Sequence, residues 1–475
     1  MPQKKITLIQ PSFSIAEYGK ETKEAKFTSV LPPLGLMYLA AVAEKEGYTA
    51  KIIDGDVNNF KMKEIVEIIK RESPEIVGIY VCTSNYKYVL NLAEHIRKYV
   101  EYIILGGPHI TVNPKNALRN KNIDLVVFGD GEETFIELIN TIHKKKGFEK
   151  IKGIGFKKNG ELIINEPRPF IKDLDKIPFP ARHLVPLQKY KPSPHQYIRQ
   201  PSTTMITSRG CPFRCKFCFS SQINKRIYRN RSVDNVIAEI KYLQEKYGIK
   251  EVQFWDDVFG LDKKWLHEFC DKLIKEKIDL AWFCEQRANL VDFEILKKMK
   301  KAGCYSIFYG FESLNQEILD FINKDITRQQ IINAIKWTKK AGIIVRANFI
   351  LGLPYETPKK TKKMIKLICK LNPDYVKWNL FCPYPGTEIY DELKKRPDLG
   401  KMLTENSAKL TNHEAVFIPK DYKNSKELEE MRSYAFRKFY MRPKYFLTRL
   451  LSIRGFVDIQ RYLRGLRLIV KRYIF

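Results

Sequence analysis

Ser208-Arg209-Gly210-Cys211-Pro212-Phe213-Arg214-Cys215-Lys216-Phe217-Cys218 decides the reading of this chain. Its three cysteines stand at spacings of four and three, directly after a β-branched run at 203–207. Three thiolates from one short loop can ligate three irons of a 4Fe–4S cluster and leave the fourth iron without a protein ligand. An open metal position is where substrate chemistry takes place. A zinc site would want a fourth Cys or His at metal-site spacing. His183 and His195 precede the strand and lack that spacing. Scattered core cysteines describe the segment poorly, because it is polar, basic and glycine-flanked.

Outward from this loop the pattern is regular. Strand-like runs at 203–207, 251–255, 281–284, 306–309, 345–351 and 375–380 are separated by helical periodicities. Six strand–helix units predict a curved parallel sheet, an incomplete (β/α)6 barrel, over residues 201–400. Residues 1–150 show a second alternation. Its strands are at 6–9, 51–53, 76–81, 102–105 and 125–128, and its helices at 34–45, 63–71, 88–100 and 133–144. This predicts a doubly wound parallel sheet whose ligand sits beyond the strand C-termini. Prolines at 167, 169, 178, 180, 186, 192 and 194 mark 151–200 as an extended linker. Residues 401–475 read as a basic helical extension.

Composition bounds the function. The chain has 475 residues, 44% of them hydrophobic, which excludes a wholly disordered chain. Its formal charge of +30 suggests an acidic partner. No apolar run has the length of a signal core or a membrane span, so a cytoplasmic location is expected. Nine cysteines in such a chain argue for metal or redox chemistry over a disulfide framework. From Arg432 to Phe475 the chain has twelve Lys or Arg against one acid, Asp458. Ile459, Tyr462, Leu463, Leu466, Ile469, Val470, Tyr473 and Ile474 fall at helical spacing among these charges. A basic amphipathic helix of this kind suits the inner face of a membrane or the protein's own body. Nucleic acid ranks below both, because no recognition fold accompanies the charge.

The three-cysteine loop after the first strand of a six-unit α/β domain resembles the radical S-adenosylmethionine superfamily. With the α/β domain before it, the chain resembles the cobalamin-binding radical S-adenosylmethionine proteins, which include methyltransferases and anaerobic magnesium-protoporphyrin cyclases. The resemblance implies three cofactors: a 4Fe–4S cluster on Cys211, Cys215 and Cys218, S-adenosylmethionine, and cobalamin. It also implies an external electron donor. On the S-adenosylmethionine side it implies contacts from Phe217 and from Asp256-Asp257, where Asp257 is preferred and one of the two acids caps the next helix. Arg287 after the third strand, Glu312 after the fourth, and Ile350 and Gly352 of the 349–357 motif complete that set. On the cobalamin side it implies Pro33, Gly106 and Gly107, and Gly129, Gly131 and Glu132 at the ends of successive strands. The loop at 11–30 has no histidine, so a cobalt without a histidine lower ligand is expected.

The function implied is a C-methyltransferase acting on an unactivated carbon of a small-molecule or lipid substrate through a 5′-deoxyadenosyl radical and methylcobalamin. Two rivals share these residues: a cyclase or rearrangement enzyme without methyl transfer, and a non-catalytic corrinoid and iron–sulfur sensor.

Overall fold

The computed structural model describes residues 5–12, 30–193, 196–404, 414–451, 453 and 463. The chain divides into two compact units, Met1–Pro192 and Ser193–Phe475. The strands of the first unit are β1 (Lys5–Gln10), β2 (Thr49–Asp54), β3 (Ile76–Tyr80), β4 (Tyr102–Gly106), β5 (Leu125–Val127), β6 (Ile154–Lys158) and β7 (Glu161–Ile164). They form one sheet in the order β2-β1-β3-β4-β5-β6-β7. The first five are parallel. Ile76, Val77, Ile103, Leu105 and Val126 are fully buried, as strands covered on both faces require. Strand order reverses at β1, and the C-terminal ends of β1 and β3 therefore flank the crevice where such sheets bind ligands.

The segment 151–200, read as a linker, opens instead with β6 and β7, which add an antiparallel hairpin to the edge of this sheet. Ile154 and Phe156 are buried on alternate positions. The glycine between them broke the short apolar run and hid the strand from a periodicity reading. The prolines that follow carry three short 3-10 turns, at Leu174–Lys176, Arg182–Leu184 and Leu187–Lys189.

The second unit contains β8 (Ser202–Met205), the two-residue strands β9 (Ser208–Arg209) and β10 (Arg229–Asn230), then β11 (Glu251–Phe254), β12 (Ala281–Gln286), β13 (Cys304–Glu312), β14 (Ile344–Leu351) and β15 (Tyr375–Leu380). Its main sheet runs β15-β14-β13-β12-β11-β8, parallel throughout. Each crossover steps to the adjacent strand in the same direction, which is the connectivity of a partial barrel. Side chains alternate between the faces of a strand. Met205, Val252, Phe254, Trp282, Ile307, Val345, Ala347 and Trp378 pack on the helices of the outer face. The inner face is left to the intervening residues.

The helix Ser425–Tyr440 buries Leu428, Met431, Ala435 and Phe439 in this same core. The pair β16 (Gly400–Met402) and β17 (Phe417–Pro419) precedes it. The helix Pro443–Leu450 follows, and there Phe446, Leu447, Leu450 and Leu451 are exposed. The amphipathic pattern at 459–474 lies outside the described residues except Leu463, which is exposed. Residues 13–29 of the histidine-free loop lie outside them as well. Among the described residues no helix is long and apolar enough to cross a membrane.

Candidate active site

The cysteine loop leaves the C-terminal end of the sheet after β8. The antiparallel pair β9–β10 pins its two ends, with Ser208 opposite Asn230 and Arg209 opposite Arg229. Gly210 sits at φ +86°, and a Cβ there would lie 2.0 Å from the Ile227 carbonyl oxygen. This position before Cys211 therefore tolerates only glycine.

Two acids at the end of β11 clamp the loop. Asp256 is buried, and its Oδ1 accepts from the Thr207 N–H (2.9 Å), the Thr207 hydroxyl (2.8 Å) and the Ser208 hydroxyl (2.5 Å). Its Oδ2 is buried without a partner. Burial pushes the Asp256 carboxyl up to about 6 against these bonds. At the far end of the loop Asp257 accepts from Ser220 (2.9 Å) and Asn224 (3.3 Å), and burial raises its carboxyl too. Neither caps the following helix, contrary to the sequence expectation. Asp262 does so, accepting from the Lys264 and Trp265 N–H groups at 2.8 and 3.3 Å.

Cys215 is buried, while Cys211 and Cys218 are partly exposed. Burial raises the thiols of Cys211 and Cys218, the latter to about 11. These are thiols that ionise on metal binding, releasing protons as they do so. Among the described residues no three His, Cys, Asp or Glu side chains converge on a single ion. Three thiols on one short loop are a donor set that fits three irons of a cluster. Arg287, expected at the cofactor, reaches the loop itself. Its Nη1 lies 3.5 Å from Cys215 Sγ, and its guanidinium lies 3.5 Å from the Phe213 ring centre and donates to the Lys324 carbonyl. A cation thus stands beside the Cys215 sulfur.

Glu312 ends β13 at φ +63°, an uncommon conformation for a residue with a side chain. Its carboxylate accepts from Lys324 Nζ (3.0 Å) and Asn348 Nδ2 (2.8 Å), and Asn379 Nδ2 donates to Asn348 Oδ1 (2.7 Å). Lys324 is buried, with its ammonium 5.7 Å from the Phe217 ring centre. Phe217 and Ile350 meet in one apolar cluster with Leu353 and Phe381. Two sequence-distant cofactor-side candidates are therefore brought together. Gly352 has a packing cause: at φ +86°, a Cβ would lie 2.7 Å from Leu428 of the helix Ser425–Tyr440. Sequence reasoning missed Lys324 and Asn348. Lys324 lies in the irregular segment after the turn at 322–323, without a pattern. Asn348 alternates with Ala347 and Phe349, a period-two signal that could have placed it on the face away from the helices.

In the first unit, Pro33 precedes the helix Leu34–Lys45, and its carbonyl accepts from the Met37 N–H (3.0 Å). Gly106 and Gly107 close β4. Gly129, Gly131 and the buried Glu132 lie where β5 passes into the helix Gly131–His143. These loops follow parallel neighbours and share one edge of the sheet. At that edge His109 Nδ1 lies 3.2 Å from the Thr83 hydroxyl, and its ring is 4.3 Å from that of Tyr86. His109 Nε2 is buried without a partner, and burial lowers the imidazole pKa. An orphaned polar atom beside glycine-bearing strand ends fits a polar ligand such as a corrinoid.

The family model of the radical SAM superfamily matches residues 205–368, and that of the B12 binding domain residues 24–139. An uncharacterized methyltransferase of Pyrococcus horikoshii is 38% identical over 440 residues, covering 92% of this chain and 93% of the relative. An anaerobic magnesium-protoporphyrin IX monomethyl ester cyclase of Rubrivivax gelatinosus is 30% identical over 375 residues, 76% of this chain and 66% of that protein. The radical S-adenosylmethionine methyltransferase TsrM from Kitasatospora setae, with cobalamin and a 4Fe–4S cluster bound, has the same fold. Its TM-score is 0.72 at 15% identity, with 99% of each chain covered. Fold, cysteine loop and relatives together define a radical S-adenosylmethionine enzyme with a B12-binding domain. The chain belongs to the cobalamin-binding radical S-adenosylmethionine family, whose cofactors are a 4Fe–4S cluster, S-adenosylmethionine and cobalamin.

The Asp256 clamp has a pH signature. A carboxyl raised on folding contributes stability that is complete below its unfolded pKa of 3.8 and is lost as pH rises through about 6. At 1.36 kcal/mol per unit the loss is on the order of 3 kcal/mol. In denaturant unfolding from pH 4 to pH 7, Asp256→Asn is expected to flatten this fall. An unchanged slope would show that the carboxyl is not protonated in the fold.

Proposed function

We propose that this enzyme transfers a methyl group to an unactivated carbon of a small-molecule substrate. The observation that carries the reading is the three-thiol loop, fixed at both ends by Asp256 and Asp257 and flanked by the buried Lys324–Glu312–Asn348 network. When bound, the reduced cluster supplies the electron that cleaves S-adenosylmethionine, and the corrinoid supplies the methyl group. Cys211, Cys215 and Cys218 hold three irons, and Arg287 offsets the charge at Cys215. Phe217 and Ile350 give the adenine an apolar wall, closed by the turn at Gly352. Glu312, oriented by Lys324 and Asn348, accepts from a ribose hydroxyl. Asp257 faces the methionine amino group. In the first unit Pro33, Gly106, Gly107, Gly129, Gly131 and Glu132 would border the corrinoid, to which the loop at 11–30 offers no histidine.

Cyclisation without methyl transfer is the second reading, supported by the Rubrivivax gelatinosus cyclase relative. Anaerobic reconstitution with a chemical reductant or a flavodoxin-type electron donor separates the possibilities. Methyl transfer predicts both 5′-deoxyadenosine and S-adenosylhomocysteine. Cyclisation predicts 5′-deoxyadenosine alone, and a sensor predicts neither. Alanine at Cys211, Cys215 or Cys218 is expected to remove the iron–sulfur absorbance and lower cleavage at least a hundredfold. A variant that kept full iron content and cleavage would refute the ligand assignment.

The substrate's location is a further part of the proposal. The helix Pro443–Leu450 and the residue after it expose Phe446, Leu447, Leu450 and Leu451 near the basic stretch that ends the chain. Apolar side chains next to Lys and Arg bind an anionic membrane face in a salt-sensitive way, which suits a lipid or other hydrophobic substrate. Truncation ahead of the helix Ser425–Tyr440 would open the core. The test is therefore Leu447→Glu with Leu450→Glu and Leu451→Glu in co-sedimentation with anionic and neutral vesicles. The wild type is expected to bind anionic vesicles and the variant to lose most of that binding. Equal binding by both would refute the role.

A further inference from the structure

The inner face of the second unit's sheet carries a charge that the proposed cofactor contacts do not use. On β14, Val345, Ala347 and Phe349 face the helices, so Arg346 and Asn348 face the other way. In register with Arg346 stand Phe308 on β13 and Tyr375 on β15, with Glu285 one strand further on β12. Arg346 is only 5% exposed, yet its Nε and Nη1 have no hydrogen-bond partner. Its guanidinium lies 4.7 Å from the Phe283 ring centre and 5.3 Å from that of Phe308. On the same face Gln253 Oε1 of β11 and Trp255 Nε1 just after it are also buried without partners.

Buried cationic donors without acceptors are costly and are retained where something comes to meet them. The rings of Phe283 and Phe308 lie beside the guanidinium and offer its Nε and Nη1 no oxygen acceptor. Glu285 lies close enough to interact electrostatically, but among the described residues no hydrogen bond or ion pair joins it to Arg346. Loss of water pushes the Glu285 carboxyl up to about 7, and Lys377 adds a second positive charge from β15. The Nε and Nη1 donors of Arg346 are still without an acceptor, and a planar fork of donors reads two oxygens of one group at once.

We propose that Arg346 anchors an oxyanion of the substrate, the carboxylate or phosphoryl group of a small organic acid with an apolar or aromatic body. The anchor lies toward the start of β14. Four residues of extended strand, about 3.3 Å each, separate it from Ile350 at the cofactor end. The substrate thus spans roughly 13 Å, and its reacting carbon lies at the end opposite its charge. The identification of this ligand as the substrate rests on the reading given under Proposed function. The binding itself is measured without turnover, so the two fail separately.

The reconstituted holoprotein is titrated with benzoate, phenylphosphonate, inorganic phosphate and the neutral isostere benzamide, following melting temperature and tryptophan fluorescence. At least one anion is expected to raise the melting temperature and to bind tenfold or more tightly than benzamide. Benzoate and phenylphosphonate distinguish a carboxylate from a phosphoryl anchor. Preference for inorganic phosphate over both indicates a phosphoryl anchor and contradicts the apolar or aromatic body. Arg346→Gln is expected to lose at least tenfold in anion affinity. Arg346→Lys keeps the charge without the fork and is expected to fall between the two. If Arg346→Gln does not fold, Arg346→Lys carries the comparison. Anions that bind no better than benzamide, or variants that bind them as the wild type does, overturn the proposal.

Discussion

The second unit depends on one buried carboxylate. Asp256 takes three hydrogen bonds from Thr207 and Ser208, and in doing so fixes where the cysteine loop leaves the sheet. The cost is visible in the raised pKa of the group and in its orphaned second oxygen. A charge or proton held in such a place is tolerated when the geometry it enforces is needed. Here that geometry is the start of the loop that carries Cys211, Cys215 and Cys218. Asp257 and Gly210 complete the constraint, one by tying down the loop's exit, the other by letting the backbone pass the Ile227 carbonyl.

The two faces of the same sheet then divide the work. The outer face is apolar and is closed by helices, so its residues specify the fold. The inner face carries Glu285, Arg346, Asn348 and Asn379 on neighbouring strands, positions that a closed apolar core would fill with aliphatic side chains. Glu312, held by Lys324 and Asn348 in a left-handed conformation, belongs to this polar set. Backbone strain that surrounding bonds enforce gathers where ligands are handled. Leu428 of the helix Ser425–Tyr440 packs against Gly352 just beyond the end of β14.

The cysteine loop was legible in sequence because metal-ligand spacing is local, and so were the strands, whose apolar runs are long and β-branched. The hairpin at Ile154–Ile164 was not, because a glycine interrupts its short alternation. The expectation that one of Asp256 and Asp257 caps the next helix failed, because a capping acid and a clamping acid look alike beside a helix start and the cap falls to Asp262. Arg287 was named only for its position after the third strand, and its contact with Cys215 depends on a fold that brings residues 72 apart within 3.5 Å. Lys324 had no signal, since it lies in an irregular segment and acquires meaning only from Glu312. Arg346 was open to a period-two reading, in that it interrupts an inner-face series on a strand whose outer face is apolar.

The central claim is that three thiols on a clamped loop leave one iron for S-adenosylmethionine. Electron–nuclear double resonance of the reduced holoenzyme with S-adenosylmethionine carrying nitrogen-15 in its amino group and oxygen-17 in its carboxylate tests it most directly. The account predicts hyperfine coupling of both labels to the cluster. A cluster with no coupling to either label, under conditions where the cofactor is bound, would contradict it.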